Sequence, residues 1–202
     1  NTVAIRGMNG AGYNTDYRSA MDCLEEALKT QRTIGNVNED LREEDLFRGR
    51  GALILGAGGA ARAIAFGLRQ RGALVTIASR TDERSEKLAS DIGGRFLTWN
   101  ARYDTKPGIL VNCTPIGMHP DIDSSPYDEE KLHEDMIVFD TVYNPEKTVL
   151  VKKAKEAGCF VINGLDMFVR QAAYQFKLFT GIEPNVKLMR KVVKDITSPY
   201  RA

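Results

Sequence analysis

From residue 51 onward, short apolar runs recur along the chain: ALIL (52–55), LVTIA (74–78), ILVNC (109–113), MIVFDTV (136–142) and CFVIN (159–163). Between them, over about 60–71, 82–91, 146–157 and 167–180, apolar residues return every three or four positions, the period of a helix. Strands that are apolar at nearly every position are buried on both faces, and the intervening helices supply the covering layers. Right-handed crossovers then wind a parallel sheet outward in two directions. The pattern predicts an α/β fold with a doubly wound, Rossmann-like parallel sheet. A last helix is expected from Pro184 to about Ile196, after the break at Gly181.

The first fifty residues read differently. Asn1–Ile5 and Gly10–Tyr13 flank Met8-Asn9-Gly10, where Asn-Gly favours a tight hairpin. A helix is expected to follow, capped by Thr15 or Asp16 and running to about Thr30, with Met21, Leu24 and Leu28 at helical spacing. The stretch QRTIGNVNEDLREEDLFRGR (31–50) is polar, with a weak helical signal over Leu41–Phe47, and reads as a connector.

Composition narrows the function classes. The chain has 202 residues, 43% hydrophobic and 27% charged, with a net charge of +1, so no global charge steers it to nucleic acid or to an anionic membrane. No apolar run approaches the ~20 residues that span a bilayer. Cys23, Cys113 and Cys159 are odd in number and lack a CxxC pattern, as expected for reduced thiols of a cytoplasmic protein. His119 and His133 have no metal-like spacing, and no metal is expected. The chain begins at Asn1 inside what reads as a strand, so a longer parent polypeptide is expected.

The segment GAGGAA (Gly56, Ala57, Gly58, Gly59, Ala60, Ala61) fits G-x-G-x-x-A between a strand and a helix. Gly56 permits the tight turn, Gly58 lets backbone approach a pyrophosphate, and Ala61 keeps the helix close to the sheet. The free N–H groups of the helix start then face the anion. The next strand ends in Ser79-Arg80-Thr81, with Arg84 one turn on, where an NAD site usually carries an acid. A guanidinium with hydroxyls beside it suits a 2′-phosphate, and the expected cofactor is NADP. Taken singly, either arginine is also an ordinary helix-surface residue.

The stretches NTV (1–3), GYNTD (12–16), VNCTPIGM (111–118), VYNPEKTVL (142–150) and NGLDMFVRQAAYQFKLFTG (163–181) complete the informative set. With GAGGAARA and SRT, the chain resembles the shikimate dehydrogenase family in the order and approximate spacing of these motifs. The resemblance implies reversible hydride transfer between NADPH and 3-dehydroshikimate, giving shikimate, in aromatic amino-acid biosynthesis. It implies Asn1, Thr15, Tyr143 and Gln171 as substrate contacts. It implies Asp16 as the catalytic carboxylate that pairs with a lysine and holds the reacting hydroxyl. Asn112, Thr114 and Gly164 would approach the cofactor. Read without the family, Thr15 and Asp16 are good helix caps, Tyr143-Asn144-Pro145 is a turn, and Gln171 is a helix residue bonding backbone.

The family's lysine and the serines that grip the substrate carboxylate fall upstream of Asn1. The resemblance therefore implies that most of a substrate domain is missing. Residues 1–30 and 165–202 would be its remnant, 31–49 a connector, and 50–164 the NADP domain. The isolated chain is expected to bind cofactor, to turn over poorly, and to self-associate through its last helices or pair with the missing part. Other readings are a quinate/shikimate dehydrogenase using NAD, a non-catalytic NADP-binding regulatory module, or one half of a bifunctional protein.

Overall fold

Thr2–Arg6 (β1) pairs antiparallel with Asn9–Tyr13 (β2), with Thr2 opposite Tyr13 and Arg6 opposite Asn9, in the computed structural model, which describes residues 1–6, 9–34 and 45–197. The hairpin is the expected one, but its register puts Asn9 and Gly10 in the strand rather than in the turn. Met8 lies outside the described residues. Thr15–Ile34 (α1) follows and runs four residues beyond the expected end at Thr30. Its last turn is tied down from outside: the Gln31 side chain donates to the Asp135 carbonyl at 2.8 Å and accepts from Arg50 at 3.2 Å. Most of the expected connector, residues 35–44, lies outside the described residues.

Six parallel strands follow: Gly51–Leu55 (β3), Leu74–Ser79 (β4), Arg95–Thr98 (β5), Ile109–Asn112 (β6), Ile137–Asp140 (β7) and Phe160–Ile162 (β8). Their order across the sheet is β5-β4-β3-β6-β7-β8. The chain thus winds one way from β3 to β5, returns to the middle, and winds the other way from β6 to β8. The sequence pattern did not reveal β5. It is a four-residue edge strand with no buried position, so it lacks the continuous apolar run that marks its neighbours.

Gly59–Gln70 (α2), Asp82–Ile92 (α3), Val149–Glu156 (α4), Gly164–Thr180 (α5) and Val186–Thr197 (α6) complete the described elements. Two expected helix starts move by three residues, each for a capping reason. α4 begins three residues late because the Thr148 hydroxyl accepts from Val151 N at 3.2 Å. α5 begins three residues early because the Asn163 side chain accepts from Asp166 N at 3.1 Å.

Alternate residues of each strand feed two cores. Ala52, Ile54, Ile109, Val111, Ile137 and Phe139 pack with Met21, Leu24 and Leu28 of α1 and with Ile64 and Leu68 of α2. Leu53, Leu55, Leu110 and Val138 face the other way, onto Leu150 and Ala154 of α4 and onto Tyr127, Leu132 and Met136. Those last three come from the helix-poor crossover between β6 and β7, which covers the sheet with irregular chain. α1 therefore shares the core of the sheet, and its N-terminus is held at a fixed place beside α2. None of the described helices is long and apolar enough to cross a membrane.

Candidate functional site

The carboxyl ends of β3 and β6 diverge at the centre of the sheet, and an open α/β sheet binds ligands in the crevice formed there. Gly56, just past β3, has φ +109°, and a Cβ on it would lie 2.8 Å from the Cys113 carbonyl beyond β6. No side-chain-bearing residue fits both constraints. Gly58 is the N-cap of α2, without a side-chain cap, and no acid lies in the first turn. A Cβ at Gly58 or Gly59 would meet nothing within 4 Å. The helix start therefore offers unspent N–H groups and a positive dipole end to open space, which fits an anion such as a pyrophosphate. Ala61 is fully buried and seats the helix on the sheet, while Ala57 is partly buried against the same core.

At the end of β4 the expected residues divide. Arg80, Thr81 and Arg84 are exposed, and neither arginine has an ion-pair partner among the described residues. Ser79 faces inward. Its hydroxyl is buried, donates to the Thr81 carbonyl at 2.9 Å and lies 2.5 Å from the Ser85 hydroxyl. Ser79 thus shapes the turn that presents Arg80, and burial keeps its oxygen off the outer face.

On the other side of the crevice a cleft of 260 Å³ is lined by Asp16, Ala60, Thr141, Tyr143, Gly164, Met167, Phe168 and Gln171. Residues from α1, α2, β7's exit and α5 thus meet at one place. Gly164 makes this possible, because a Cβ on it would stand 2.3 Å from the Val142 carbonyl oxygen and 2.5 Å from that of Thr141. Tyr143 stacks on Phe168 with ring centroids 4.3 Å apart and planes 19° from parallel.

Helix capping does not consume the polar groups of this cleft. Asn14 caps α1, its side chain accepting from Tyr17 N at 2.9 Å, so neither Thr15 nor Asp16 performs that task. The Asp16 carboxylate, the Tyr143 hydroxyl and the Gln171 amide have no hydrogen-bond partner among the described residues. Thr15 is buried behind Asp16. Its N–H donates to Asn1 Oδ1 at 2.9 Å, and its hydroxyl accepts from Asn1 Nδ2 at 3.2 Å. Gln175, one turn beyond Gln171, donates to the Thr2 and Thr15 hydroxyls at 3.1 and 3.3 Å. The sequence reading missed Gln175, although its i, i+4 relation to Gln171 was available.

Asn112 and Thr114 lie in and beside the loop that follows β6, and their side chains bond each other. Asn112 is fully buried, and its Oδ1 accepts from Thr114 N at 2.9 Å and from the Thr114 hydroxyl at 2.7 Å. Its Nδ2 donates to Asp140 Oδ1 at 2.9 Å. These side chains hold the loop after β6 from within. Asp140 was also missed. Its signal was a carboxylate inside the apolar run MIVFDTV, where charge is rarely buried. Burial pushes its carboxyl up from 3.8 to about 6, against the pull of hydrogen bonds from Thr148, Val142 N and Asn112. The Cys113 thiol is likewise pushed up by burial.

Comparison with known proteins adds a family context. A family profile described as the shikimate 5′-dehydrogenase C-terminal domain matches residues 164–194, and one described as NADP oxidoreductase, coenzyme F420-dependent, matches 52–144. A shikimate dehydrogenase (NADP(+)) of Methanocaldococcus jannaschii is 39% identical over 208 residues, covering 96% of this chain and 67% of the relative. The crystal structure of a shikimate dehydrogenase in complex with NADP+ superposes with a TM-score of 0.80 at 38% identity, covering 97% of this chain and 66% of that one. The Thermus thermophilus shikimate 5-dehydrogenase, solved with NADP(H) and shikimate, gives a TM-score of 0.74 at 33% identity, covering 96% and 66%. The chain spans about two thirds of the length of these relatives.

Proposed function

The chain belongs to the shikimate dehydrogenase family, and from that premise we propose that it serves an NADP-dependent oxidoreductase interconverting 3-dehydroshikimate and shikimate. The nicotinamide, when bound, supplies the hydride chemistry. This chain's residues bind and orient. The N–H groups at the start of α2, beside Gly56 and Gly58, would hold the pyrophosphate, and Arg80, with Thr81 and Arg84 beside it, would take the 2′-phosphate. Gly164 and the loop of Asn112 and Thr114 border the opposite half of the crevice.

Tyr143 and Gln171 hold ring hydroxyls of the substrate, while Asn1 and Thr15 form a bonded pair beside them. Reduction of a ketone builds negative charge on its oxygen, so a proton must be managed there. Asp16 is the carboxylate lining the cleft, and it takes the hydrogen bond of the hydroxyl that becomes a ketone.

The observation that carries this reading is the cleft itself. It gathers three polar side chains with no partner among the described residues against Ala60, in the first turn of the phosphate-binding helix. Titration calorimetry on this chain with NADP+, NAD+ and shikimate tests it. NADP+ should bind at least tenfold tighter than NAD+, the span of one charge-assisted contact of about 1.4 kcal/mol. No heat with either nucleotide overturns the reading, and a preference for NAD+ would favour a quinate/shikimate dehydrogenase using NAD.

A further inference from the structure

Asp140 ends β7 with its side chain fully buried and no cationic partner among the described residues. A buried carboxylate costs stability, and an uncharged hub of the same shape is often as good or better. Three donors hold it instead: Asn112 Nδ2 at 2.9 Å and Val142 N at 3.1 Å on one oxygen, and the Thr148 hydroxyl at 2.6 Å on the other. Each donor belongs to a different piece of the fold around the end of β7. Asn112 ends β6, Val142 begins the segment leading to Tyr143, and Thr148 caps α4.

The effect on Asn112 is directional. A carboxylate accepts and does not donate, so it admits the amide nitrogen of Asn112 and repels its carbonyl. With Nδ2 directed at Asp140 and, at 3.4 Å, at the Ile116 carbonyl, Asn112 Oδ1 is left facing Thr114, whose N–H and hydroxyl it accepts at 2.9 and 2.7 Å. The Thr114 hydroxyl in turn accepts from Ile116 N at 3.2 Å. With the amide turned round, its NH2 would face the donors of Thr114 and the loop would lose its anchor. On β7's side, Val142 is the residue whose carbonyl limits Gly164, and Tyr143 follows it into the cleft.

We propose that Asp140 is a positioning residue: through Asn112 and Val142 it sets the two loops, 113–116 and 141–143, that border the half of the crevice away from Arg80. This rests on the dinucleotide reading above, in which Arg80 marks the adenosine end and these loops border the nicotinamide end. Loosening Asp140 should weaken the hold on one half of the cofactor and leave the other alone.

The test compares NADPH with 2′,5′-ADP, which lacks the nicotinamide half, by calorimetry at pH 7 on the parent chain and on D140A, D140N and T114V. D140A and T114V should each lose about tenfold in NADPH affinity, one hydrogen-bond-sized contact, while 2′,5′-ADP affinity stays within about twofold. The enhanced nicotinamide fluorescence of bound NADPH should fall in the same two variants. D140N, which can still accept from Asn112 and Val142, should remain within about threefold of the parent. Equal weakening of both ligands, an unchanged D140A, or a D140N no better than D140A overturns the proposal. Should D140A fail to fold, an unchanged T114V alone overturns it. A parent chain that binds neither ligand refutes the proposed function instead.

Discussion

Replacing Gly164 by alanine tests how the cleft is built. The added Cβ would stand 2.3 Å from the Val142 oxygen, 2.5 Å from the Thr141 oxygen and 2.5 Å from the Val142 carbonyl carbon. Carbon and carbonyl oxygen meet comfortably at about 3.3 Å, so the shortfall is about 1 Å, and every obstructing atom is backbone. The peptide cannot simply turn aside. Thr141 N and its hydroxyl donate to the Asn112 carbonyl at 2.9 and 2.8 Å, and Val142 N donates to Asp140. The helix must move instead, and α5 carries Gln171 two turns further on. Overpacking of this kind costs about 3 kcal/mol at the upper end, less about 1 kcal/mol gained in helix propensity on losing a glycine. The net of about 2 kcal/mol corresponds to a fall in Tm of about 4–8 °C for a chain of this size. Thermal unfolding followed by circular dichroism measures it, and calorimetry with NADP+ should show weaker binding in the same variant. A Gly164→Ala chain melting within about 1 °C of the parent, with unchanged affinity, would show that α5 and the β7 exit are not in register as described.

Gly58→Ala should give the opposite pattern. Its φ of −86° suits alanine and a Cβ meets nothing within 4 Å, while the entropy gained against the lost N-cap preference nearly cancels, so Tm should hold within about 2 °C. NADP+ affinity should nonetheless fall at least about tenfold by calorimetry, because the methyl enters the space that the pyrophosphate approaches. Arg80→Ala should raise the Kd for NADP+ about ten- to a hundredfold and leave that for NAD+ nearly unchanged, the signature of a lost phosphate contact. Asp140 should tie stability to pH. Its carboxyl is raised in the folded chain, so its contribution is full below about pH 4 and is lost as pH rises through about 6. Urea unfolding at pH 4 and pH 7 should show D140N gaining about 2 kcal/mol on the parent across that interval, and a constant difference would refute the shift.

The parts legible in the sequence were those in which one local rule acts alone. Five of the six parallel strands announced themselves because burial on both faces demands continuous apolar runs, whereas β5 (Arg95–Thr98) is at an edge and escapes that demand. The glycine turn was legible because backbone geometry and anion binding ask for the same residues. The polar groups were harder, because a hydroxyl, amide or carboxylate serves a cap, a buried hub or a ligand with equal chemistry. Thr15 and Asp16 both looked like caps until Asn14 was seen to take that place, which leaves Asp16 without a partner among the described residues. Ser79 and Asn112 looked like ligands, yet both are buried and spend their polar atoms on the turns they hold. The same distinction separates Gln171, at the cleft with an unspent amide, from Gln175, four residues on, whose amide is consumed by Thr2 and Thr15. What marks a candidate binding residue here is thus the absence of a competing partner among the described residues. That property belongs to the packing of α1, β7 and α5 around one glycine, Gly164, and no single stretch of sequence contains it.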